Sequence, residues 1–249
     1  MIPFRFGLLT ETRLVTAAEL HRMAPALEEC ARHCALAWGR LAPCVDVFDD
    51  VRKLPGDVIP VVFVDSDTDM GAIGVHSWTP QRGPAARVYV DQTSGLNSGS
   101  ASTSEAASHE ILEALVSPQV NLWADYPRSL RHPRAQVAVE CCDPMQDTYA
   151  ITTGGSRWLV SNFVTPEWFD ARLTDYLPSA QLKFDHCGRL RGAGVLGPEG
   201  YLVLRAPAAV GGYVTWLEDG RGPFERLASS TKRAAIAHAW SRTKARMGT

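Results

Sequence analysis

The chain has 249 residues, of which 45% are hydrophobic and 21% charged, with a formal net charge of −2. That is ordinary globular material, enough for one large domain or two small ones. The near-neutral balance removes any bulk electrostatic case for nucleic acid or acidic partners, and no stretch approaches the ~18 uninterrupted apolar residues of a membrane-spanning helix.

The N-terminal sequence lacks the basic start and apolar core of a secretory signal, so a cytoplasmic location is expected, with the six cysteines reduced rather than paired. Arg5–Leu9 reads as a first strand. Thr16 and Glu19 have capping-box spacing and open a helical segment running to Trp38 and Gly39. Pro25 predicts a kink or two shorter helices. Leu27, Cys30, Cys34 and Trp38 recur at helical spacing and should face the core. The Cys30–Cys34 spacing also suits one face of a metal site, with a pair of buried thiols as the competing reading. Cys44–Phe48 alternates like a strand, Asp49–Gly56 is a polar turn, and the β-branched run Val58–Val64 reads as a buried strand.

Asp65, Asp67 and Asp69 have the spacing of a calcium loop but lack its later Gly and Glu, so a solvated loop is expected. His76 follows, either pointing into a cleft or sitting in a loop. Arg87–Asp91 is a short strand, and the Ser- and Gly-rich Gln92–Ser102 connects it to the next helix.

That helix, Ser102–Pro118, has both ends written into it. Ser102 with Glu105 forms a capping box, and Pro118 stops the helix. Inside it lie His109, Glu110 and Glu113. His109 and Glu113 are four apart and share one face, where imidazole and carboxylate can reach one metal ion. Glu110 stands beside them, placed to take a proton from a water on that metal. The arrangement is that of the HExxH helix of zinc peptidases, with Glu in place of the second His.

Beyond Pro118 the chain reads as irregular to Pro133. Gln136–Glu140 alternates and runs into Cys141, Cys142, Asp143 and Pro144. Tyr149–Thr153 is a short strand and Pro166–Ala171 a helical turn. Hairpins are expected near Leu182–Phe184, Tyr201–Leu204 and Tyr213–Leu217. Ser229–Arg246 reads as a basic C-terminal helix, solvated or binding an acidic surface or nucleic acid, the last an unfavoured partner.

Three segments, Ser108–Glu113, Val139–Pro144 and Val160–Pro166, together with the order of helices and strands, resemble the zincin metallopeptidases, more narrowly their gluzincin-like branch, and a group of bacterial and phage HExxE proteins. The resemblance covers roughly Leu27 to Asp170. It implies an α+β fold with a zincin-like mixed sheet and active-site helix over residues 1–176, followed by an irregular β-rich extension with the basic helix over 177–249. It implies a peptidase acting on a peptide or protein substrate, with His109, Glu113 and Glu140 as metal ligands, Glu110 as general base, Asp143 as the partner orienting His109 or as the competing ligand, and Tyr149 as an oxyanion donor. The strand Arg87, Val88, Tyr89, Val90 would form the cleft edge and align substrate. Zinc is the first metal expected. Two anionic ligands bring in Mn2+, Fe2+ and Ca2+ as alternatives and weaken the Lewis acidity of the ion. The alternative reading is a catalytically weak or inactive zincin-like scaffold, for instance a virion-associated component that contacts other particle proteins.

Overall fold

The computed structural model describes residues 3–66, 73–81, 83–97, 99, 101–126, 134–178, 181–208, 213–219 and 222–227. Asp67 and Asp69 of the acidic loop and the basic helix expected over Ser229–Arg246 lie outside them. The fold is α+β with a mixed sheet and a β-rich C-terminal region. No helix among the described residues is long and apolar enough to cross a membrane.

The chain divides into two compact units, residues 1–120 with 148–161, and residues 121–147 with 162–249. The hairpin around residue 154 belongs with the N-terminal helices, while the segment holding Glu140 and Asp143 belongs with the C-terminal strands.

In the first unit a five-stranded sheet runs in the order β2-β1-β3-β5-β4. The strands β1 (Arg5–Thr10), β2 (Cys44–Val47), β3 (Val58–Val64) and β5 (Gly83–Tyr89) are parallel, and β4 (Gly74–Thr79) closes the sheet antiparallel to β5. Arg87, Val88 and Tyr89 are therefore not at a cleft edge. β5 pairs with β3 on one side and with β4 on the other, which leaves no edge for an extended peptide to join. Val90 lies beyond the strand, in a 3-10 turn.

Helix α1 (Ala17–Ala37) starts at the predicted capping box: Glu19 N donates to Thr16 Oγ1 at 3.3 Å and Thr16 N donates to Glu19 Oε2 at 2.8 Å. It runs as one helix through Pro25, so of the two expected outcomes the pair of shorter helices is not formed. Pro25 and His21 are exposed, so water can satisfy the carbonyl that loses its partner on that face. Leu27, Cys30 and Cys34 are fully buried, while Trp38 is only partly so.

Helix α2 (Thr103–Val116) packs on α1, β4, β5 and β9 (Ser156–Ser161), which pairs with β8 (Thr148–Thr153) as a hairpin. Every residue of α2 except Glu105 is buried. A helix surrounded on all sides needs apolar or internally paired side chains all round. Ile111, Leu112, Leu115 and Val116 meet the first demand. Ser104 and Ser108 meet the second: Ser104 Oγ donates to Leu159 O at 2.6 Å, and Ser108 Oγ accepts from Ser161 N at 2.8 Å while donating to Glu105 O at 2.8 Å.

The second unit is an antiparallel sheet, β12-β11-β10-β7-β6, built from β6 (Trp123–Asp125), β7 (Gln136–Ala138), β10 (Tyr201–Pro207), β11 (Tyr213–Asp219) and β12 (Gly222–Leu227). Leu182–Phe184 forms no strand, though Val164 and Asp185 make an isolated bridge. Asn162 organises the loops. Its Nδ2 donates to Asp185 Oδ2 at 2.9 Å, and its Oδ1 accepts from Phe163 N at 2.9 Å and Cys187 N at 3.3 Å. With Asn162 and Asp185 both fully buried, the segment Val160–Pro166 does structural work.

Candidate metal centre

The α2 capping box forms as predicted: Ser102 Oγ accepts from Glu105 N at 3.3 Å and Glu105 Oε2 accepts from Ser102 N at 3.2 Å. This fixes the helix register, and 3.6-residue periodicity then stacks His109 and Glu113 on one face. His109 Nε2 lies 3.4 Å from Glu113 Oε1. The sequence placed these two together, and so does the structure.

His76 joins them from β4. Its Nδ1 lies 3.2 Å from Glu113 Oε2 and 3.5 Å from Glu110 Oε2. The same strand makes room for Glu110 two residues earlier: a Cβ on Gly74 would stand 2.6 Å from Glu110 Oε1. Gly74 and His76 share a strand face and meet α2 with a space and an imidazole. His76, His109, Glu110 and Glu113 are 2%, 3%, 2% and 1% exposed, an expensive set to bury unless its members share protons or a cation.

The electrostatics follow from that crowding. Burial pushes the Glu110 carboxyl above its ordinary value, with the His76 hydrogen bond and the His109 charge pulling the other way. Burial also works to raise Glu113, but the His109 charge and hydrogen bonds from both imidazoles outweigh it, and Glu113 sits far below the usual carboxylate range. For His76, burial acts to lower the pKa, and the hydrogen bonds and charges of Glu110 and Glu113 overturn it, leaving the imidazole raised. The charge therefore concentrates on Glu113, between two histidines, while Glu110 holds its proton more readily.

This donor set fits a metal ion. Two ligands about 2.1 Å from a tetrahedral ion stand about 3.4 Å apart, and the N···O separations around Glu113 are 3.2 and 3.4 Å. Among the described residues, His, Glu and Asp side chains form groups with donor atoms close enough to hold a metal ion, and His76, His109 and Glu113 are members of them.

Glu140 and Asp143 are in the second unit, 1% and 2% exposed. Asp143 O accepts from Tyr201 N at the start of β10. Tyr149, the expected oxyanion donor, is engaged on α1: its hydroxyl lies 3.1 Å from His33 Nδ1 and donates to Cys30 Sγ at 3.4 Å. Glu29 Oε1 lies 3.1 Å from His33 Nε2 and completes that chain. Cys30 is therefore part of a hydrogen-bonded network.

His76 is the residue that sequence reasoning left undecided. The inward positions of β4 are Gly74 and His76, so the apolar alternation that marks a strand is missing there. Compared with protein-family models, curated proteins and solved structures, the chain gives no match.

Proposed function

We propose that this chain is a metal-dependent peptidase of the zincin type, with His109 and Glu113 holding the ion and Glu110 as general base. The observation that carries the reading is the one-turn pairing of His109 Nε2 with Glu113 Oε1 at 3.4 Å, with the Glu110 carboxylate on the adjoining residue.

When bound, the ion would polarise the scissile carbonyl and acidify the attacking water. Everything else is asked of the chain. Glu110 accepts the proton of the attacking water and returns it to the leaving amine, a task suited to a carboxyl raised above its ordinary value. His76 holds Glu110 and Glu113 apart and in place, with its ring nitrogen between them. Substrate alignment passes from β5 to β4, the strand that ends the sheet, by pairing with an extended peptide. The Glu140 and Asp143 carboxylates keep their sequence-assigned roles, ligand and His109-orienting partner, as the part of the proposal tested by Glu140→Gln and Asp143→Asn.

Zinc is the metal proposed first, because the helix spacing of His109 and Glu113 is that of a zinc site and imidazole with carboxylate suits it. Mn2+ and Fe2+ accept the same donors, and Ca2+, which prefers an all-oxygen shell, fits less well. The test is peptide hydrolysis by zinc-loaded protein beside Glu110→Gln. Turnover lost in the variant with metal retained is expected, and full activity in Glu110→Gln would remove Glu110 from its role.

A second reading has its own observation. Glu110 is 2% exposed, so a peptide reaches it only after the surrounding chain moves. A metal-stabilised scaffold contacting other particle proteins needs no such movement. Metal binding with no turnover on any peptide library, together with stable self-assembly, would favour it.

A further inference from the structure

We infer that Glu113 bridges two metal ions, one held with His76 and the other with His109. The inference rests on the metal-binding reading above and adds a second ion and a ligand from the sheet.

Glu113 divides its oxygens between two imidazoles. Oε2 faces His76 Nδ1 at 3.2 Å and Oε1 faces His109 Nε2 at 3.4 Å. A single ion taking both rings and one Glu113 oxygen would require the two ring nitrogens and that oxygen to sit within about 3–4 Å of one another, the reach set by metal–ligand bonds of about 2.0–2.1 Å. The two imidazoles instead face different oxygens of Glu113. A carboxylate with one oxygen toward each of two imidazoles is the geometry of a bridging ligand. Two-metal sites place their ions about 3.5–4 Å apart, a span one carboxylate covers.

The surroundings agree. Glu110 Oε2 lies 3.5 Å from His76 Nδ1, so a second carboxylate is within reach on the His76 side. The four side chains are 1–3% exposed, and within such a dry cluster cation–carboxylate attraction is strong. The imidazoles come from different elements, His76 from β4 and His109 from α2, so the two ions would tie helix to sheet. First-row divalent ions that accept imidazole and carboxylate together, zinc, manganese or iron(II), are the class expected.

The experiment uses the full chain, stripped with chelator and reloaded with Zn2+ or Mn2+, with metal content measured per chain and the Mn2+ form examined by electron paramagnetic resonance. Two ions per chain are expected, with a spin-coupled manganese spectrum. His76→Ala and His109→Ala should each retain one ion and lose the coupling. One ion per chain, lost equally in both variants, would overturn the bridge and leave the metal reading standing. Two ions with an uncoupled manganese spectrum would also overturn the bridge. No ion under any loading would overturn both. The wild-type stoichiometry and spectrum decide the matter even if one variant fails to fold.

Discussion

Glu110 Oε1 stands 2.6 Å from the point where a Cβ on Gly74 would lie, and Glu110 Cγ 2.8 Å from it. The buried carboxylate is pressed against the one residue type that leaves it room. Gly74→Ala should therefore push Glu110 out of register with His76 and cost about 1–3 kcal/mol through overpacking. In Gly74→Ala/Glu110→Ala the second change removes the obstructing atoms, so the double variant should cost less than the sum of its parts. Denaturant unfolding of the four-member cycle measures this. Strict additivity would mean that the two residues do not meet.

Ser108 joins α2 to the β8–β9 hairpin. Ser108→Ala removes the acceptor of the Ser161 amide, which is otherwise held at 2.8 Å in a fully buried position. An amide left without a partner in such a place costs about 1–3 kcal/mol. The variant should lose that much stability by chemical denaturation while keeping the α2 capping box. A loss under 0.5 kcal/mol (an order-of-magnitude threshold) would show that the amide finds another acceptor.

The α1 capping box should give stability a dependence on pH. Hydrogen bonds from the Thr16 backbone and then its hydroxyl hold the Glu19 carboxyl below its ordinary value, with Arg22 helping and slight burial opposing. A carboxyl whose folded pKa lies below its unfolded one stabilises the fold above the ordinary carboxylate range. That contribution disappears as pH falls through the folded value. Glu19→Gln should accordingly lower the melting temperature at pH 7 and make little difference at pH 3. Thr16→Ala, which removes the hydroxyl cap itself, should cost about 1 kcal/mol at neutral pH. An equal Glu19→Gln deficit at both pH values would contradict the linkage.

Much of the first unit could be read in the chain because its signals are local. Ser102 and Glu105 mark a helix start, Pro118 a stop, and Val58–Val64 a strand, and each formed where expected. His109 and Glu113 followed from helix periodicity alone. What escaped was set by tertiary environment. β4 hid because its inward residues are Gly74 and His76, one chosen for space and one for its imidazole, which erases the apolar alternation. The edge role expected of Arg87–Val90 failed for the same reason: an unseen neighbouring strand occupied that edge. Pro25 does not split α1 because its cost depends on exposure, which a sequence does not state. The hairpin 148–161 returns to the N-terminal elements across a long sequence separation, and the buried hydroxyl of Ser108 gives no signal of that in its immediate surroundings.

The central claim is that the Glu113 cluster holds metal, and metal content tests it most directly. The full chain, purified without chelator and then incubated with zinc or manganese, is measured beside His109→Ala and Glu113→Gln. The account predicts at least one ion per chain in the wild type, reduced in His109→Ala and abolished in Glu113→Gln, with retention falling as acid protonates the ligands. A wild-type protein that takes up no ion at neutral pH, or variants that hold as much as the wild type, would contradict it.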